Sequence, residues 1–294
     1  MISQVKGIKA ILPPPPTHMV GDGFKVHNFF PQLSIIGEDG MSPFFLLDYN
    51  SKWILSPSER PRGVGVHPHR GIETVTLAYH GRIAHHDSAG NSGVIGEGDV
   101  QWMTAGGAVL HKEYHEKEFS RKGGLFQMVQ LWINLPAKFK MTPAKYQALE
   151  NKEMPVFLLD DKISRVELIA GEYKGLKGTA FAFSPVNLFN ARLKSGGEAE
   201  FSFDREYNTG ILVIEGEIKV NDKQVVRTDH FVYFDHNGEF FKLEAMGDSV
   251  VLIMSGKPLN EPISSYGPFV MNTDEEIKQA YTDYYNGKFG YLED

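Results

Sequence analysis

Apolar and polar residues alternate along this chain in many short runs, each closed by a turn signal. ETVTLAY (73–79), FQMVQLWINL (126–135), TGILVIEGEIKV (209–220) and FFKLEAM (240–246) read as half-buried strands, because successive strand side chains point to opposite faces. GDG (21–23), EDG (38–40), SAGNSG (88–93), KSGG (194–197) and HNG (236–238) supply the turns. Short strands with glycine-rich turns predict β-sandwiches or barrels. Helical patterning is scarce. Thr273 and Glu276 form a capping box ahead of EEIKQAYTDYYN, and Gly287 supplies the stop. PAKYQALE (143–150) is a second, weaker helical stretch, and Pro13 to Pro16 read as a polyproline II connector.

An internal repeat organises these strands. LAYHGRI (77–83) resembles LVIEGEIKV (212–220), each an apolar strand, a turn glycine and a second strand. EGDVQWM (97–103) follows the first and RTDHFVYF (227–234) the second. The expected fold is therefore all-β and duplicated, with one copy over 1–150 and the other over 151–294. The boundary falls near PAKYQALENKEMP, and the helix belongs to the C-terminal copy. A length of 294 residues fits two domains.

Composition narrows the chemistry. Apolar residues make up 41% and charged residues 23%, enough to bury a core without a disulfide or a metal. Cysteine is absent, which excludes disulfides, thiolate zinc sites, iron–sulfur clusters and cysteine nucleophiles. The net charge is −7 and no Lys/Arg-rich block occurs, which argues against direct nucleic-acid contact. No secretory signal is visible, and apolar runs such as Val250 to Met254 are too short to span a bilayer. A soluble cytoplasmic protein without membrane contact is the expectation.

Of the eleven histidines, seven lie between His67 and His115. His67 and His69 are two apart, so on a strand they share a face with Cα atoms about 6.7 Å apart. Pro68 lacks an N–H and places that strand at a sheet edge or a strand start. His111 and Glu113 have the same spacing. If the two segments pair or face each other across a barrel, three imidazoles and one carboxylate meet, a set suited to a first-row divalent cation with open positions. His85, His86 and Asp87 form a rival set, with hydrogen bonding to the ligands or surface solvation as their alternative roles. His80 and His115 read as exposed.

HPHRGIETVT (67–76), GEGDVQWMTAGGAVLHKE (96–113), VQLWINLP (129–136) and YGPFVMNTDEEIKQAYTDYYNGKFG (266–290) together resemble the pirin family of the cupin superfamily. The resemblance implies two tandem cupin (jelly-roll β-barrel) domains. It implies one metal ion in the N-terminal cupin, held by His67, His69, His111 and Glu113. Iron(II) is the ion implied, while the ligand set also suits manganese, nickel, copper, cobalt or zinc. The general cupin pattern would instead take Glu73 as the carboxylate ligand, on the same face as His69 by strict alternation. The C-terminal cupin is expected to hold no metal, since FDREYNTGILVIEGE (203–217) has no histidine and His230 and His236 are six apart.

The activity implied is flavonol ring cleavage with dioxygen, of the quercetin 2,3-dioxygenase type, with Glu113 as the proton acceptor. Trp102, Met103 and Phe126 are candidate walls for a small aromatic substrate, against a plain core reading. The alternative implied is a non-enzymatic, iron-dependent redox sensor that binds protein partners. A two-domain chain has no evident need to dimerise, so a monomer is expected.

Overall fold

The computed structural model describes residues 4–294. The chain divides into two compact units. One comprises Pro16–Leu33, Phe44–Asn151 and Leu259–Asp294; the other comprises residues up to Pro15, Ser34–Pro43 and Lys152–Pro258. A single cut near residue 150 therefore needs correcting at both ends. The helical tail joins the unit that carries His67, not the C-terminal copy, and the first strand joins the later unit. The physical reasons are specific contacts: the Ile8–Leu12 strand pairs with Phe231–Phe234, and the tail is bonded to Arg70.

Each unit contains one seven-stranded and one four-stranded antiparallel sheet. In the histidine-rich unit the larger sheet runs, in order, Lys145–Leu149, Val100–Ala105, Ile72–His80, Gly124–Asn134, Phe44–Leu55, Phe24–Phe30 and Thr17–Val20. The smaller runs Gly63–His69, Val109–His115, Ile83–Asp87 and Ser92–Ile95. Lys145–Leu149 is a strand on Val100–Ala105, so the helix expected over 143–150 does not form. Five consecutive residues pair with Val100–Ala105, and this sheet pairing wins over a weak helical pattern.

The duplication is visible in the turns. Gly81 (φ +86°) links Ile72–His80 to Ile83–Asp87, and Gly216 (φ +79°) links Asn208–Glu215 to Glu217–Val220. A Cβ on Gly216 would lie 2.4 Å from the Asp248 carbonyl oxygen, and one on Gly81 2.7 Å from the Phe126 ring. In the later unit the space between the sheets is filled by Phe189, Phe201, Phe203, Phe234 and Phe241. His230 binds the Thr228 carbonyl and His236 the Asn208 side chain.

The tail of the histidine-rich unit forms the Ser264–Tyr266 and Phe269–Met271 hairpin and then the Asp274–Tyr285 helix. Thr273 and Glu276 make the capping box read from the sequence. No helix among the described residues is long and apolar enough to cross a membrane.

Candidate metal centre

The His67 strand is the edge of its four-stranded sheet, where Pro68 needs no donor. It pairs with Val109–His115, and this register sets His67 directly opposite His111. His111 of the second pair thus reaches both histidines of the first. The ring centroids of His67, His69 and His111 lie 4.2 to 5.0 Å from one another. One nitrogen from each ring lies within 4.8 Å of the others.

The ring tautomers are set by hydrogen bonds. His67 Nδ1 donates to the Gly65 carbonyl at 2.8 Å and His69 Nδ1 to the Pro268 carbonyl at 3.1 Å. Each leaves Nε2 as a lone pair. His111 Nδ1 faces His85 Nδ1 at 3.4 Å, and His85 Nε2 donates to Asp87 Oδ2 at 3.2 Å. With His85 Nδ1 an acceptor, His111 carries its proton on Nδ1. His111 Nε2 is then a buried lone pair with no hydrogen-bond partner. Burial holds all three imidazoles below the ordinary histidine range, His69 at about 3. They are neutral, the form that ligates cations.

Glu113 is placed differently from the three rings. The His67 strand carries an extra residue between His67 and Val64, so Glu113 pairs with Val64, and its carboxylate groups with His85 and His111 rather than with His67 and His69. The carboxylate faces the larger sheet. Oε1 accepts from Gln101 Nε2 at 2.8 Å and Thr76 Oγ1 at 3.0 Å, and Oε2 accepts from Gln130 Nε2 at 2.6 Å. A carboxylate has about four lone-pair sites, so three donors leave one for a proton or a cation.

Glu73 does not share that face. Gly71, at φ +83°, breaks the alternation between His69 and the Ile72–His80 strand. Glu73 stands three residues before Thr76 on one strand, hence on the opposite side, where Thr104 Oγ1 donates to it at 2.8 Å. His85 and Asp87 form the hydrogen-bonded chain behind His111. His86 stacks on Tyr114 and bonds its hydroxyl at 3.0 Å. His115 is buried, against the exposed position read from its polar neighbours. Its Nε2 donates to the Gly23 carbonyl at 2.8 Å, and Phe24, Phe119 and Phe126 surround the ring. The sheet face, not the local sequence, decides its burial. His80 is half-buried and meets Glu97 at 3.2 Å.

A cavity of about 360 Å³ opens onto His67, His69 and Glu113. Its apolar wall includes Val20, Phe24, Val26, Met128 and Trp132, and Asp48 and Gln130 supply polar points. Trp102, Met103 and Phe126 are fully buried in the core and do not line it. Met128, Gln130 and Trp132 line it at every second position of one strand, the period-two pattern carried by MVQLW (128–132).

Paired antiparallel sheets, repeated once along the chain, with imidazoles gathered inside one pair only, define a two-cupin protein. The pirin family model matches residues 23–133, and the model for the Pirin C-terminal cupin domain matches residues 188–290. The chain belongs to the pirin family. It is 43% identical to "Putative quercetin 2,3-dioxygenase PA2418" of Pseudomonas aeruginosa, over 92% of this chain and 94% of that one. It is 37% identical to a pirin-like protein of Solanum lycopersicum, over 85% and 83% of the two chains. The crystal structure of quercetin 2,3-dioxygenase from Acinetobacter baumannii superposes with a TM-score of 0.92 at 46% identity, covering 99% of this chain and all of that one.

Proposed function

We propose that His67, His69, His111 and Glu113 hold one divalent cation, iron(II) by family resemblance, and that the adjoining cavity admits a flavonol-type substrate for ring cleavage with dioxygen. The observation that carries the cation is His111 Nε2, a buried lone pair without a partner. Leaving such an atom unpaired costs about 1–3 kcal/mol, and a cation among three neutral imidazoles removes that cost. The flavonol reading draws on the names borne by the Pseudomonas and Acinetobacter relatives. The cavity supports it, with an apolar wall for a flat ring system and polar groups on one side.

A bound cation would act as a Lewis acid on the substrate's hydroxyl-ketone edge. The protein's own residues do the rest. His67 and His69 are held at fixed angles by carbonyl oxygens. Glu113 has one free lone pair, which serves the cation before substrate binds and takes the proton leaving the substrate hydroxyl once it has bound. Gln101, Thr76 and Gln130 keep the carboxylate aimed while it does so. Val20, Phe24 and Met128 pack the ring system and exclude water.

Aerobic quercetin depletion with carbon monoxide detection tests this. The metal-loaded protein consumes flavonol. Glu113→Gln keeps the cation yet loses at least about 100-fold in turnover, whereas His69→Ala loses both. No flavonol loss by fully loaded protein contradicts the reading.

A further inference from the structure

Five polar residues stand in one line across five neighbouring strands of the larger sheet. Asn28 pairs with Asp48, Asp48 with Gln130, Gln130 with Thr76, and Thr76 with Gln101. The row is unusual because the same sheet face is otherwise lined by Phe24, Val26, Ala78, Phe126 and Met128. Three of its members, Gln130, Thr76 and Gln101, are used: all donate to Glu113. Asn28 and Asp48 do not reach Glu113. They form a second polar point on their own, with Asn28 Nδ2 donating to Asp48 Oδ1 at 2.7 Å. Asp48 Oδ2 takes no hydrogen bond among the described residues, and Asp48 lines the cavity. Glu113 sits over Thr76, two strands from Asp48, and neighbouring strands are about 4.8 Å apart. The two carboxyl groups therefore mark points about 10 Å apart along the cavity floor.

We propose that Asp48 is a substrate-recognition group whose Oδ2 hydrogen-bonds a hydroxyl at the end of the substrate remote from His67, His69 and Glu113. The inference rests on the reading of the cavity as a flavonol-type site and narrows the substrate class. The preferred ligand is a polyhydroxylated aromatic long enough to chelate at one end and present a hydroxyl at the other. An unsubstituted ring at the far end leaves a buried carboxyl oxygen without a partner, a costly mismatch. Burial raises the Asp48 carboxyl above the ordinary carboxylate range, against the opposing effects of Asn28 and His18. As a carboxylate, Oδ2 accepts from a ligand hydroxyl.

The test compares two ligands in two proteins, anaerobically so that nothing turns over. Quercetin carries hydroxyls on its outer rings; 3-hydroxyflavone keeps the chelating edge and lacks them. Binding to metal-loaded wild type and Asp48→Leu is measured by fluorescence titration, with Asp48→Ala as a second variant should leucine not be accommodated. Asp48→Leu binds quercetin about tenfold more weakly and 3-hydroxyflavone within about twofold of wild type. Asp48→Asn, which keeps both Asn28 and a ligand bonded, restores quercetin binding to within about threefold. An equal change for both ligands, or none for either, overturns the role of Asp48 while leaving the flavonol reading intact. Failure of loaded wild type to bind either ligand overturns the flavonol reading and this inference with it.

Discussion

His111 shows how much of the site depends on the placement of single protons. Its Nδ1 proton is fixed by His85, which is in turn fixed by the Asp87 carboxylate, and Asp87 is held by Asn91. The spacing of His85 and Asp87 marked them as candidates, but not whether they ligate or support; their hydrogen-bond chain to His111 favours support. His115 is the opposite case. Charged and polar neighbours gave it the signature of a surface residue, yet it faces three aromatic rings. Burial holds its pKa at about 4, with the Gly23 bond opposing. It stays neutral in the folded protein where the unfolded chain takes up a proton, near pH 6.5. The stability this gives is complete above about pH 6.5 and is lost as the pH falls towards 4. In urea unfolding of metal-free protein, His115→Gln flattens that acid slope by about 1.4 kcal/mol per pH unit. Identical slopes would show that His115 is not neutral and buried.

Elements explain why the three imidazoles converge. An edge strand tolerates Pro68, its partner strand brings His111 opposite His67, and an extra residue between Val64 and His67 on the edge strand sets Glu113 opposite Val64. The first two were legible from HPH and HKE; the shift was not, because it lies in the pairing of the edge strand and nothing in Gly65 or Val66 announces it. Nor was the partnership of the tail. Arg70, next to His69, donates to Asp283 of the C-terminal helix at 2.9 Å and lies over the Phe289 ring at 4.9 Å. Lys140 donates to the Gly71 carbonyl at 2.8 Å and also to the Val270 carbonyl, joining the loop after His69 to the hairpin. Lys288, Arg70 and Gln279 hold the Asp283 carboxyl well below the usual carboxylate range. Asp283→Asn is expected to lower Tm by about 5 °C. Because His69 is itself bonded to the Pro268 carbonyl of this tail, the same variant weakens cation binding about tenfold. Differential scanning calorimetry and a metal titration check the two halves, and unchanged affinity would mean the tail only stabilises.

The whole molecule is a duplication whose copies have diverged in their interiors. Matching turn glycines and matching sheet pairs persist, and those were legible as a repeat because turn geometry constrains residue type. The interiors were legible only in part. Phenylalanines packing one unit follow from the loss of histidines there, whereas the cavity wall in the other depends on which strand face meets which sheet. Trp102 misleads for that reason: an aromatic next to Gln101 lies on the other face of the same strand. The account as a whole stands on one cation per chain, in the histidine-rich unit alone. Metal-free protein titrated with iron(II) under anaerobic conditions, followed by mass-spectrometric metal counting, measures this directly. One ion per wild-type chain, and none retained by His111→Ala, is the predicted result. No ion in wild type at saturation, or one ion kept by His111→Ala, would contradict it.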